Sequence, residues 1–216
     1  MEIYSSIVGF FQNGGLFMYP IVLVLAAGIA IAVERYLFLT STQVKSNALW
    51  SEVTPFIKAG KFNEAVAVTR QSKAAVATIL TYGLNRIKTA RRRDDIEKAM
   101  EESLMEVMPQ LEKRTHYLAT FANIATLLGL LGTIIGLIRA FTAVSGANPA
   151  EKADLLSASI SVAMNTTAFG LIAAIPLLLM HAVLTTKTTE IVDSLEMASV
   201  KFLNTVIERR GEEPSA

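Results

Sequence analysis

Three stretches of this chain carry no Asp, Glu, Lys or Arg: residues 3–33, 115–138 and 155–186. Each exceeds the roughly 20 residues that an α-helix needs to cross a bilayer core at about 1.5 Å per residue. Lipid is therefore the expected solvent for a large part of the chain, and three transmembrane helices are expected. Composition agrees, since 52% of the residues are hydrophobic and only 18% are charged. A formal net charge of +1 gives no electrostatic basis for binding nucleic acid, and the run Arg91, Arg92, Arg93 is too short to change that. The chain has no cysteine, which excludes disulfides, thiolate metal sites and thiol nucleophiles.

The placement of Lys and Arg sets the expected orientation, because cytoplasmic flanks retain them. Residues 40–114 hold Lys45, Lys58, Lys61, Arg70, Lys73, Arg86, Lys88, Arg91, Arg92, Arg93, Lys98, Lys113 and Arg114. The segment before the first span holds none, and the connection between spans two and three holds only Arg139 and Lys152. No basic residue precedes the first apolar stretch, so that stretch is expected to be a retained helix rather than a cleaved signal. The expected layout in an inner membrane is a periplasmic segment at 1–15, spans at 16–39, 115–138 and 159–184, and a periplasmic loop at 139–158. A cytoplasmic helical domain occupies 40–114, and a cytoplasmic helix and tail occupy 185–216.

The fold class is an all-α membrane protein in which helices two and three extend into a cytoplasmic helical bundle. Between spans one and two, apolar residues recur at helical spacing over 48–57, 63–72 and 74–90, with a break at Gly60. Asp94 and Asp95 offer a helix start, after which Ile96, Met100, Leu104, Val107 and Leu111 repeat every three or four residues. No glycine interrupts this pattern, so one helix is expected from about 95 to 141, about 70 Å long and kinked at Pro109. The sequence Gly146, Asn148, Pro149 marks a turn within a loop running from 142 to about 156. Beyond His181 the period continues through Ile191, Leu195, Ala198, Phe202 and Val206, which extends span three out of the membrane. The last residues, 211–216, are expected to fray.

Spans two and three contain polar side chains that lipid-facing helices avoid: Thr126, Thr133, Ser157, Ser159, Ser161, Asn165, Thr166 and Thr167. Thr126 and Thr133 are seven apart and share a helix face, as do Ser159 and Thr166. For any single Ser or Thr, bonding to its own helix or easing helix packing is the commoner explanation. Clustering on two consecutive spans points instead to a hydrated or partner-facing surface. Gly129, Gly132 and Gly136 surround Thr133 and include a small-xxx-small pair that permits close backbone approach. Pro176 marks either a hinge or a structural kink in span three.

No Asp, Glu or Lys lies in the middle of span two or three, and His116 and His181 fall near the expected cytoplasmic boundary. Glu34 and Arg35 mark the inner end of span one and are read as an interfacial anchor. A proton path through hydrocarbon needs a titratable group near mid-membrane, so a conducting role requires a carboxylate from another chain. Sequence spacing shows no Ser-His-Asp set, phosphate loop or metal-spaced cluster, and neither an enzyme nor a bound cofactor is expected.

The stretch Gly129-Leu-Leu-Gly-Thr-Ile-Ile-Gly136 resembles the core of the second helix in the ExbB/TolQ family of proton-channel subunits. Thr167-Ala-Phe-Gly-Leu-Ile-Ala-Ala-Ile-Pro176 resembles the core of their third. The opening Gly14-Gly-Leu-Phe-Met-Tyr-Pro20, Glu34-Arg35, and Gly60-Lys-Phe-Asn-Glu-Ala65 are also similar, so the likeness spans nearly the whole chain. The resemblance implies a homopentamer in lipid whose second and third helices enclose the membrane helices of ExbD/TolR-like subunits. Those partners would supply a membrane Asp as proton carrier, beside Thr133 and Thr167. Force would pass to a TonB-like or TolA-like protein. From the residues themselves, Thr126, Ser159, Asn165 and Thr166 are expected to line the channel or face the partner, and Gly129, Gly132, Gly136 and Gly170 to pack the helices. The chain departs from the family at Val162, where the third helix often carries Glu, and at Thr126, which replaces a common Pro. The related flagellar stator subunits also lack an acid at the first of these positions.

Overall fold

The computed structural model describes residues 14–212 except 88, 91 and 147, so most of the expected 1–15 segment and the tail beyond 212 lie outside the described residues. Among the described residues every regular element is an α-helix. They are α1 Met18–Lys58, α2 Phe62–Gln71, α3 Ala75–Ile87, α4 Arg93–Glu112, α5 His116–Ser145 and α6 Lys152–Glu212. The chain forms two compact units: one comprises Met1–Glu34 with Arg114–Val183, the other Arg35–Lys113 with Leu184–Ala216. Helices α1 and α6 contribute to both.

The first unit contains the three apolar stretches, and each lies on a helix long and apolar enough to cross a membrane. Less than a third of each stretch is buried within the chain. Side chains such as Leu23, Leu127, Ile138, Ile172 and Leu179 remain exposed and require lipid or another polypeptide around them. Pro20 falls in the first turn of α1, where its missing N–H costs no intrahelical bond. Gly28 seats span one on span three, since a Cβ there would come within 2.5 Å of Leu177 Cδ2. The turn between α5 and α6 is shorter than expected, because α5 continues past Arg139 to Ser145 and α6 begins at Lys152. Asp154 in the first turn of α6 complements the helix dipole.

In the second unit α1 does not stop at the end of its apolar stretch. The expected separate helix at 48–57 is the continuation of α1, because residues 40–47 contain no Gly or Pro to interrupt it. It ends where Gly60 adopts φ 72°, with Lys61 N–H donating to Phe56 O at 2.9 Å and Gly60 N–H to Ile57 O at 3.1 Å. That paired pattern is a Schellman stop and explains the glycine. Helix α3 buries Val76, Ile79, Leu80, Gly83, Leu84 and Ile87, one continuous helical stripe. Helix α4 buries Ile96, Met100, Leu104, Val107 and Leu111, the residues its spacing singles out. Gly83 lets α3 settle onto Met100 and Phe202, since a Cβ would lie 2.8 Å from Met100 Sδ and from Phe202 Cε1.

The single helix expected over 95–141 is two helices. Pro109 does not end α4, which runs three residues further to Glu112. The break comes at Arg114, which adopts φ 65° and is the one non-glycine with positive φ among the described residues. Sequence gives no warning, because left-handed backbone usually selects Gly or Asn. In the second unit, Arg35 supplies what α4 loses at its end. Its guanidinium donates to Leu111 O and, at 3.4 Å, to Gln110 O, and its carbon Cζ sits 4.7 Å from the Phe38 ring centre. Arg35 is 2% exposed, so the expected interfacial anchor is a buried helix cap. In the first unit, Glu34 accepts from Arg114 at 3.1 Å, with both side chains about half exposed.

Two opposed outcomes follow for this break. Arg35→Ala leaves the α4 carbonyls unbonded in a buried setting and should lower stability by about 2–4 kcal/mol in thermal unfolding of the detergent-solubilised protein. Arg114→Gly should leave stability unchanged or raise it by up to ~1 kcal/mol, since relief of left-handed strain outweighs an exposed ion pair.

Candidate functional site

Spans two and three meet along a seam of small residues. Gly129 and Gly170 face each other so closely that a Cβ on Gly170 would lie 2.7 Å from Ala125 O and 3.1 Å from Gly129 Cα. A Cβ on Gly129 would lie 3.2 Å from Thr167 Cα, one on Gly132 2.4 Å from Thr166 Cγ2, and one on Gly136 2.7 Å from Ala163 Cβ. All four glycines singled out from the sequence therefore sit on one antiparallel interface. Backbone meets backbone there, so the register is fixed by shape rather than by side-chain interdigitation.

This register decides what each polar residue does. Thr167 is half-buried at the seam, and its hydroxyl donates across it to Gly129 O at 2.8 Å. Thr166, its neighbour, turns toward span one and is 2% exposed. Its hydroxyl is shared between Gly14 O at 2.5 Å and Val162 O at 3.0 Å. The expectation that Thr166 faces a channel or partner is therefore corrected: its methyl fills the space over Gly132 and its hydroxyl ties down the turn entering span one. Val162 is part of the same contact, since a Cβ on Gly15 would lie 3.3 Å from Val162 Cγ1. Gly15 has φ 75°, a backbone that suits glycine.

Thr133 is half-buried and donates to Leu130 O at 2.6 Å, and Thr126 is exposed and donates to Ala122 O at 3.1 Å. Each bonds its own helix, which satisfies the donor and leaves the oxygen's two lone pairs as acceptors. At ~100° per residue, Thr126 and Thr133 border the glycine seam on one edge. With the helices antiparallel and Gly129 opposite Thr167, Thr133 and Thr167 fall on the same edge. Ser159 is half-buried, in phase with the seam residues of α6. Asn165 is half-buried on the other side of α6, and its side-chain amide makes no hydrogen bond among the described residues. The polar set thus splits three ways: Thr126, Thr133 and Thr167 on one edge, Ser159 and Thr166 inside, and Asn165 apart.

The sequence reading passed over Asn123. It is exposed one turn before Thr126, in a stretch otherwise built for lipid, and its amide makes no bond among the described residues. The signal was its position three residues before a threonine already singled out. Pro176 is exposed in span three and does not break α6, which runs through it unbroken. His116 opens α5 with its ring 4.3 Å from that of Tyr117, and His181 is half-buried on α6. Among the described residues no group of three or more His, Cys, Asp or Glu side chains is arranged to hold a metal ion.

The sequence from 71 to 197 matches the profile of the MotA/TolQ/ExbB proton channel family, a stretch that includes α3, α4, α5, the α5–α6 seam and most of α6. The chain belongs to that family. A putative ExbB homologue from Methanothermobacter thermautotrophicus, named for biopolymer transport, is 27% identical over 91% of this chain and 69% of its own length. An ExbB-like protein of Synechocystis is 27% identical over 77% of this chain and 79% of its own length. The TolQ protein of the Haemophilus influenzae Tol-Pal system is 39% identical over a shorter region, 37% of this chain and 34% of its own. A solved structure of C. jejuni MotAB superposes with a TM-score of 0.61 at 16% identity, covering 96% of this chain and 86% of that one, and shares the fold. Family membership and the three apolar helices together make this a membrane protein.

In this family member, Gly170→Val should disrupt the seam, because even a methyl group meets Ala125 O at 2.7 Å. A loss of about 2–3 kcal/mol is expected in thermal unfolding. Thr167→Val should cost roughly 0.5–1.5 kcal/mol for the lost interhelical bond, and Thr126→Val close to nothing.

Proposed function

We propose that this chain is the channel-forming subunit of a proton-driven motor in a bacterial inner membrane. It acts as a conduit rather than as an enzyme. The observation that carries the reading is the edge formed by Thr126, Thr133 and Thr167 beside the glycine seam. Three hydroxyls line a face of two spans that contain no ionisable side chain at depth. With their protons given to backbone carbonyls, these hydroxyls present acceptor lone pairs that can take a hydrogen bond from a protonated carboxyl group without competing for its proton. A single-span ExbD/TolR-like partner would bring that carboxylate, an Asp, into the centre of a ring of copies of this chain, a homopentamer by family resemblance. The proton would enter on the Asp, and its neutralisation would remove the cost of moving a charge past the apolar flanks of the edge. The basic residues of 40–114 orient the N-terminus to the periplasm and the C-terminus to the cytoplasm.

The long matches, over 77–91% of this chain, are to an ExbB homologue and ExbB-like proteins, while proteins named ExbB and TolQ alike match over 34–41% of it. ExbB naming among the long matches supports coupling to a TonB-like protein and import across the outer membrane; a TolA-like, envelope-constricting or gliding output is the second reading. Co-expression with an ExbD-like partner should produce a proton leak in vesicles carrying a pH-sensitive dye. Thr133→Val or Thr167→Val should cut the leak several-fold while leaving assembly intact. A correctly assembled complex that leaks no protons would instead identify a nonconducting scaffold whose polar edge only grips partner helices.

A further inference from the structure

In the unit formed by Arg35–Lys113 and Leu184–Ala216, the hollows on the two flanks of α6 are lined by side chains of opposite charge, while Glu190 and Glu208 lie in phase with Lys201 outside those linings. On the side of α4, a groove of about 280 Å³ is walled by Glu97, Glu101 and Glu196 over an apolar floor of Met100, Leu104 and Leu203. Glu97 is held by Arg93 at 3.7 Å, while Glu101 and Glu196 make no side-chain bond or ion pair among the described residues. On the side of α1, two adjoining hollows of about 170 and 470 Å³ share Trp50 and Lys201 in their walls. Lys58, Asn47 and Asn204 complete a lining that contains no carboxylate.

Several donors on this second flank have no partner within the chain, although its hydroxyls Thr54, Ser194 and Thr205 bond their own helices. Neither lysine is in an ion pair, and the Trp50 indole and both asparagine amides bond nothing among the described residues. Ser46, 4% exposed and lining the smaller hollow, has a buried hydroxyl with no partner. A buried polar atom left unbonded is costly and calls for a group from outside the chain. The opposite flank offers acceptors in the same state.

The two flanks cannot satisfy each other within one molecule. Glu196 and Lys201 point ~140° apart around α6, on either side of its buried stripe Ile191, Leu195, Ala198, Phe202 and Val206. Between them on the outer surface, Met197 and Val200 stand 57% and 53% exposed, apolar anchors with nothing over them. Faces of opposite sign that look in different directions on one element suit a head-to-tail contact, which closes into a ring when the rotation allows.

We propose that the glutamate groove between α4 and α6 of one copy receives the lysine and tryptophan flank between α1 and α6 of the next copy. This rests on the ring reading above and assigns its contact outside the apolar spans. The carboxylates of one subunit take up the unfilled donors of its neighbour, and Met197 and Val200 are covered between them. Charge sets the direction of assembly, because acid meets acid or base meets base in the reverse arrangement.

The chain has no cysteine, which makes a direct test clean. Glu196 and Lys201 are five residues apart on one helix, too far for a disulfide within a molecule. The full-length protein carrying both Glu196→Cys and Lys201→Cys should therefore oxidise in membranes to a ladder of covalent multimers. Either single cysteine should leave the chain monomeric on a non-reducing gel. Native mass spectrometry of the unmodified protein reads the ring itself. An intact oligomer whose double-cysteine variant gives no ladder, or whose single variants cross-link as well as the double, overturns this interface and leaves the motor reading standing. Absence of any oligomer overturns both. Charge exchange tests the same contact without cysteine: Glu196→Lys or Lys201→Glu alone should weaken association about tenfold, and the two together should restore it to within about twofold. Additive losses in the double variant would overturn the proposal.

Discussion

The approach of Gly129 to Gly170 is the contact on which the membrane-spanning unit depends. In hydrocarbon there is no hydrophobic drive to bring helices together, so their association rests on packing and on hydrogen bonds between them. Only glycine on both sides allows Ala125 O, Gly129 and Gly170 to lie within van der Waals reach. That closeness brings the Thr167 hydroxyl to Gly129 O, and it seats Thr166 over Gly132 and Ala163 over Gly136. The rest of the polar arrangement is a consequence. Once the seam is set, one threonine is spent on span one, one bridges the seam, and Thr133 is left at its edge.

The other unit is held by a different balance. Its core is an ordinary aliphatic one, with Ile79, Leu80, Leu84, Ile96, Met100 and Phe202 all fully buried. Its ends are polar. Arg35 closes the carbonyl end of α4, Lys187 Nζ donates to Thr40 Oγ1 at 2.6 Å while lying 4.4 Å from the Tyr36 ring centre, and Arg209 donates to Lys58 O. Each of these basic groups ties α1 to α4 or α6, where apolar stripes alone would leave the helices free to slide. Arg35, which the sequence presents as an interfacial anchor, is thus a structural bond, and a long basic side chain suits that role because it can bury its stem and still place its charge against a carbonyl.

Val162 shows how a local substitution fits this frame. Its side chain lies against the Gly15 turn at the entry to span one, in the same contact as the Thr166 bond to Gly14 O. A carboxylate at that position would need its own partner in an apolar setting. The chain instead uses a small branched side chain and a shared hydroxyl to hold the turn, and keeps its open hydroxyls on the Thr133 edge.

Much of this was legible in the sequence, because periodicity and punctuation act locally. Charge-free length required the three spans, Gly60 stopped α1, and the three-and-four spacing of Ile96 through Leu111 drew the buried face of α4 before any neighbour was known. Local signals fail where a distant group decides. Pro109 announced a kink, but the helix broke at Arg114, where Arg35, some 75 residues away in sequence, satisfies the carbonyls that the break exposes. Thr166 and Thr167 are adjacent and chemically identical, so no pattern could say that one is buried against span one and the other bonds span two. Sequence determined which residues share a helix face. Only the tertiary structure decided what covers each face, because that depends on the register in which Gly129 meets Gly170.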